Sequence, residues 1–196
     1  MLRRRLFGKV VSIEIPYSSA VVGGIYCSDN TIVSASNYSG SGKTAVGIVI
    51  NNVSGVMRVM ALTATNQYPY GGYGTDLPLV NAQTVLAAIA DLDGVNNTAT
   101  MSMYFGGGSI AYYVPTGWYV PASGELYMVM QNLATINSSR VAVGLSTIGG
   151  GAVIVSSTEY DANYCWYLYV GAGSFFDWQL GKDLSYPTYP FRKITY

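Results

Sequence analysis

Hydrophobic positions along this chain come in short runs cut by Gly, Asn, Ser and Pro. The first half offers 9–15 (KVVSIEI), 20–27 (AVVGGIYC), 31–35 (TIVSA), 44–50 (TAVGIVI), 55–65 (GVMRVMALTAT), 98–105 (TATMSMYF) and 109–114 (SIAYYV). The second half adds 125–132 (ELYMVMQN), 139–147 (SRVAVGLST), 151–157 (GAVIVSS), 163–170 (NYCWYLYV) and 174–180 (SFFDWQL). Strict alternation appears in RVAVGL, where Val141, Val143 and Leu145 share one face and Ala142 and Gly144 take the other. Many short strands bounded by turn residues predict an all-β fold, an antiparallel β-sandwich. Residues 81–93 (NAQTVLAAIADLD) have a helix-compatible composition, with Asn81 or Thr84 as a cap, but are expected as one arm of a hairpin that turns at DGVNN. The stretch 68–78 (YPYGGYGTDLP) is an aromatic, glycine-rich loop, and the prolines at 187 and 190 predict an extended tail.

A chain of 196 residues is most simply one domain, and it buries a sizeable core without staples. The organisation expected is a basic arm over 1–9, a sandwich over 10–183 and an extended tail over 184–196. Cys27 and Cys165 each stand in an apolar run and are expected as buried free thiols.

Composition narrows the chemistry. The chain has no histidine, 10% charged residues, 50% hydrophobic residues and 18 tyrosines, where an ordinary domain is about 25% charged. Without imidazole, the common nucleophile–base pairs, zinc sites and neutral-pH switches are closed, so neither an enzyme nor a cofactor or metal is expected. The net charge of zero is unevenly distributed. Arg3, Arg4, Arg5 and Lys9 crowd the start and Arg192 and Lys193 the end, while the body carries only Lys43, Arg58, Arg140 and Lys182 against all ten carboxylates. Basic arms of this kind face phosphate, in nucleic acid or lipid headgroups. MLRRRLFGKVV imitates the start of a secretory signal, but Lys9, Glu14 and Pro16 interrupt its apolar segment, so no signal is expected. No run reaches the ~18 apolar residues of a membrane-spanning helix.

Four features bear on function. NYSGSGKT (37–44) imitates the end of a phosphate-binding loop, but Asn37 replaces the required first glycine and TAVGIVI reads as a strand, which leaves a polar loop. Glu125 and Glu159 are the carboxylates that a retaining glycosidase would need. GELYMVMQ faintly resembles the nucleophile strand of jelly-roll endoglucanases, with Glu125 in the nucleophile's place and no acid motif beside it. Sequons at Asn37, Asn52, Asn96 and Asn137 are candidate glycosylation sites. Tyrosine clusters (YPYGGY, AYYV, YCWYLY, YPTYPF) suit sugar stacking and subunit contacts alike.

Together, one β-domain with a basic arm, few charges and an extended tail resembles the single jelly-roll capsid proteins of viruses, and its composition is similar to virion proteins of archaea from hot acidic springs, including their membrane-containing icosahedral viruses. The resemblance implies a single jelly roll, a structural role as a capsid subunit that self-assembles into an icosahedral shell, and a place in the virion after assembly in the host cytoplasm. The partners implied are copies of itself and other capsid proteins, with Arg3, Arg4, Arg5 and Lys9 turned inward to genome or internal membrane. Two alternatives accompany it: an extracellular filament or pilus subunit assembled by donation of the KVVSIEI strand, and a glycan-binding or glycan-cleaving jelly roll. For the shell, deleting residues 1–9 is expected to leave the domain folded and lower particle yield; an unchanged yield removes the arm from assembly.

Overall fold

The computed structural model describes residues 14–77, 81–171 and 175–196. Its strands are all antiparallel and form three sheets. The largest has the order β10-β4-β3-β1-β2, built from β1 (Ile25–Cys27), β2 (Ile32–Val33), β3 (Ala45–Val53), β4 (Val56–Ala61) and β10 (Phe191–Thr195). A three-stranded sheet runs β6 (Ala152–Glu159), β7 (Tyr164–Val170), β8 (Phe175–Gly181), and β5 (Tyr68–Pro69) pairs with β9 (Ser185–Tyr186). The β3–β4 hairpin closes through Ser54 and Gly55, both at positive φ (54° and 75°), the geometry that lets a two-residue turn follow the twist of its strands.

The antiparallel β framework agrees with the sequence reading, but the all-β expectation fails between residues 85 and 142. Four helices stand there: α1 (Val85–Ala90), α2 (Gly94–Phe105), α3 (Ser123–Gln131) and α4 (Leu133–Ala142). The expected 81–93 hairpin is instead α1, whose Thr84 side chain accepts the Ala87 N–H as its cap. The expected strand 98–105 belongs to α2, where Gly94, Asn97, Thr98 and Met101 are buried, a helical i, i+3, i+4, i+7 stripe that small and polar members hide from a hydrophobicity count. The segment 125–132 is mostly α3, and 109–114 is largely a 3₁₀ turn capped by Ser109. In 139–147 the apparent alternation is accidental. Ile136, Ser139 and Arg140 face inward from α4, Val141 is exposed, and Gly144 at φ 81° ends the helix.

Period-2 burial then sorts the sheet faces. Ile48, Ile50, Met60 and Phe191 point from the large sheet toward Leu126 and Val129 of α3, Ile136 of α4, and Ile154, Leu168 and Val170 of the three-stranded sheet. Tyr26, Val49, Met57 and Val59 point the other way, beneath Tyr17, Ala20 and Trp118. Val155, Cys165 and Leu180 line the second face of the small sheet with Met101 of α2. The tail runs extended, and its last strand is an edge member of the five-stranded sheet.

α3 approaches α1 so closely that only glycine fits at its second position. A Cβ on Gly124 would lie 2.4 Å from the carbonyl oxygens of both Ile89 and Asp91, backbone atoms that cannot rotate aside. The Gly124 N–H donates to the Asp91 carbonyl at 2.9 Å. Gly124→Ala is therefore expected to cost about 1–3 kcal/mol of stability, read as a lower denaturant midpoint; an unchanged midpoint would show that the helices can separate freely.

Candidate functional site

The basic residues of the body are spent on the fold. Glu125, at the third position of α3 and fully buried, accepts the Ala122 N–H (3.0 Å) in the carboxylate half of a capping box. Its other oxygen accepts Arg58 Nε–H from β4 and the Tyr119 hydroxyl, both at 2.8 Å. Glu159 accepts the Leu77 N–H (2.7 Å) and pairs with Lys182, and both partners' side chains are fully buried. Arg140 donates to the Ser146 and Leu62 carbonyls (2.9 and 2.6 Å), and Lys43 bridges Glu14 and Asp29 (2.9 and 2.7 Å). Burial raises the Glu125 carboxyl above its ordinary 4.5 against the lowering by Ala122, Tyr119 and Arg58, and does the same to Glu159 against Lys182 and Leu77.

The candidate glycosidase carboxylates thus stand in two separate networks, each oxygen already occupied. NYSGSGKT forms a 3₁₀ segment (Ala35–Gly40) and a turn before β3, without the helix that a phosphate loop requires. Among the candidate glycosylation sites, Asn37 and Asn96 are exposed. Asn52 donates to the Tyr17 and Ala20 carbonyls and accepts the Tyr196 hydroxyl, while Asn137 exchanges two hydrogen bonds with Ile148, so a glycan on either would break structural contacts. Cys27 and Cys165 are buried free thiols in different clusters. Arg3, Arg4, Arg5 and Lys9 lie outside the described residues.

Among the described residues, the feature left open is a sheet edge. Phe191 of β10 exchanges both backbone hydrogen bonds with Tyr119 at 2.8 Å, so its N–H and C=O point away from β4. Alternation along an antiparallel strand then turns Arg192 and Ile194 toward β4 and sends the N–H and C=O of Lys193 and Thr195 outward. Beyond Tyr119 the neighbouring segment diverges, and a groove of about 360 Å³ opens between Lys193 and Val95, Ala99, Gly117 and Trp118. Trp118 also lines a second groove of about 440 Å³ with Val46, Leu62, Pro115 and Pro190. Lys193 and Thr195 are exposed. At the opposite edge, the Ile15 N–H donates to the Ile32 carbonyl of β2 at 2.9 Å. The sequence reading missed the β10 edge because it stopped at the tail's prolines; the alternation of Phe191 and Lys193 with Arg192 and Ile194 in FRKIT was the signal available.

No family model matches the chain, and no curated protein does. Among solved structures it is similar to a fimbrial protein from Bacteroides ovatus, with a TM-score of 0.64 at 17% sequence identity, over 90% of this chain and 49% of that one. The likeness establishes a shared fold, and the chain spans about half the length of that protein.

The Glu125 network sets a pH dependence. Because its folded carboxyl binds a proton more tightly than the unfolded chain does, its contribution is complete below pH 4.5 and declines as pH rises through the raised value. Asp29, held at about 2 by Lys43 and Thr31, contributes above 3.8 and fails only as pH falls through about 2. Denaturant midpoints are expected to be higher near pH 5 than near pH 8, with the difference reduced in Glu125→Gln; a parent midpoint that falls on acidification over this interval contradicts the assignment.

Proposed function

We propose that this chain is a subunit of an extracellular filament in which each copy adds a strand to the sheet of the next. The observation that carries the reading is the fold shared with a fimbrial protein over nine-tenths of the chain. The edges of the five-stranded sheet supply a route. Ile15 is bonded to Ile32 at the β2 edge, while the outward backbone of Lys193 and Thr195, open among the described residues, lies at the β10 edge across the sheet. A donor leaving one edge and an acceptor on the other make a heterologous contact, and repetition of such a contact without closure builds an open filament. In KVVSIEI, Val11 and Ile13 alternate with polar Ser12 and Glu14, the pattern of a strand with one buried face. Residues of this segment are the proposed donor, and the apolar groove beside Trp118 is the proposed receptacle for its side chains.

The capsid reading retains its compositional support. The arm on which its inner-face contact depends lies outside the described residues, and the strand orders among the described residues are those of five-, three- and two-stranded antiparallel sheets.

A proline substitution separates assembly from folding. Lys193 offers its N–H outward, so Lys193→Pro removes no bond to β4, whereas Arg192→Pro removes a ladder bond in the sheet. Lys193→Pro is expected to remain folded by circular dichroism and to form no filaments in negative-stain micrographs, and Arg192→Pro to lose about 1–3 kcal/mol of stability through the ladder bond it removes. Filaments of normal length from Lys193→Pro would exclude β10 as the acceptor edge.

A further inference from the structure

The Glu159–Lys182 pair is buried more completely than a stabilising ion pair requires. Both side chains have no exposure, and a buried pair of this kind often contributes less than apolar residues of the same volume. The sheet register brings them together: Glu159 ends β6 opposite Cys165 of β7, Cys165 lies opposite Leu180 of β8, and Lys182 follows β8 with its N–H on the Asn163 carbonyl. Lys182 Nζ contacts Glu159 Oε1 and donates to the Thr75 carbonyl at 2.5 Å. The rings of Tyr70 and Phe105 stand 5.4 and 5.7 Å from Nζ and wall it off from water. The second carboxyl oxygen, Oε2, receives the Leu77 N–H at 2.7 Å.

We propose that Lys182 and Glu159 form an intramolecular isopeptide bond, an amide between Nζ and the Glu159 side-chain carboxyl carbon. In these dry surroundings separated charges are disfavoured, and a proton passes from the ammonium to Oε1, leaving a neutral amine against a carboxylic acid. Burial and the neighbouring Asp76 charge both favour the protonated acid. The nitrogen lone pair attacks the carboxyl carbon, and the negative charge that develops on Oε2 is met by the Leu77 N–H. A second proton moves from nitrogen to the Oε1 hydroxyl, which departs as water. The sum is ammonium plus carboxylate giving amide plus water, with no change of oxidation state and no co-reactant. Proximity supplies the driving arrangement, since the two groups are held in contact by three strands. The product's polar groups already have partners: its oxygen keeps the Leu77 N–H and its one N–H keeps the Thr75 carbonyl. The ammonium has three protons to place on two oxygen acceptors among the described residues. The bond would close β6, β7 and β8 into a covalent loop, and it stands independently of the filament reading.

The test is mass spectrometry of the full chain under denaturing conditions. The expected intact mass is below the sequence mass by one water, about 18 Da, with trypsin failing to cut after Lys182 and a branched peptide joining Glu159 to Lys182. Lys182→Arg is expected to restore the full mass. Glu159→Gln, which can form the same amide by losing ammonia, is expected to retain the branch with a loss of about 17 Da. An unshifted parent mass with normal cleavage after Lys182 overturns the proposal, as does a loss of water that maps to any other pair of residues.

Discussion

The acceptance of three hydrogen bonds by one buried carboxylate, Glu125, holds the parts of this fold in register. Arg58 brings β4 to it, Ala122 brings the first turn of α3, and Tyr119 brings the segment whose backbone bridges Phe191 of β10. Sheet, helix and edge strand therefore meet at a single side chain. Removing one partner from a buried ionic site of this type costs on the order of 3–5 kcal/mol, a large part of the 5–15 kcal/mol that stabilises an ordinary domain. Tyr119 links the arrangement to the proposed assembly, because the residue that completes the carboxylate's shell also fixes where, among the described residues, pairing with β10 stops.

A chain with so few charges leaves little to chance in their placement. Arg58, Arg140 and Lys182 face inward to carboxylates or carbonyls, and Lys43 ties Glu14 to Asp29 at the surface. Its outer surface is made instead by Tyr, Ser, Asn and Thr, with exposed apolar groups such as Leu86, Met103, Tyr112 and Val141 among them. Surfaces of that composition suit repeated contact with other copies better than steering of a charged ligand.

Much of the β framework was legible from the chain. TAVGIVI, GVMRVMA, GAVIVSS and NYCWYLYV are short runs rich in Val, Ile, Met and aromatic residues, and each overlaps a strand of the structure. The helices were hidden for physical reasons. Thr, Met, Tyr and Val suggest strands by propensity, yet the buried stripe of α2 runs through Gly94, Asn97 and Thr98, where close packing rather than hydrophobicity decides. Glu125 read as a strand-opening carboxylate with catalytic potential; its role as a helix cap depends on Arg58, sixty-seven positions away, and no local pattern reveals that pairing. The open edge required knowing that Phe191 meets Tyr119, which is likewise non-local.

In the proposed filament, the backbone of Lys193 and Thr195 is the place where one copy receives a strand from another. Amide hydrogen exchange at these two residues, compared between isolated subunits and the assembled material, tests it directly. The account predicts rapid exchange in the subunit and strong protection in the assembly, confined along β10 to the outward-facing amides. Equal exchange in both states would contradict it, because an added strand cannot leave those N–H groups open to water.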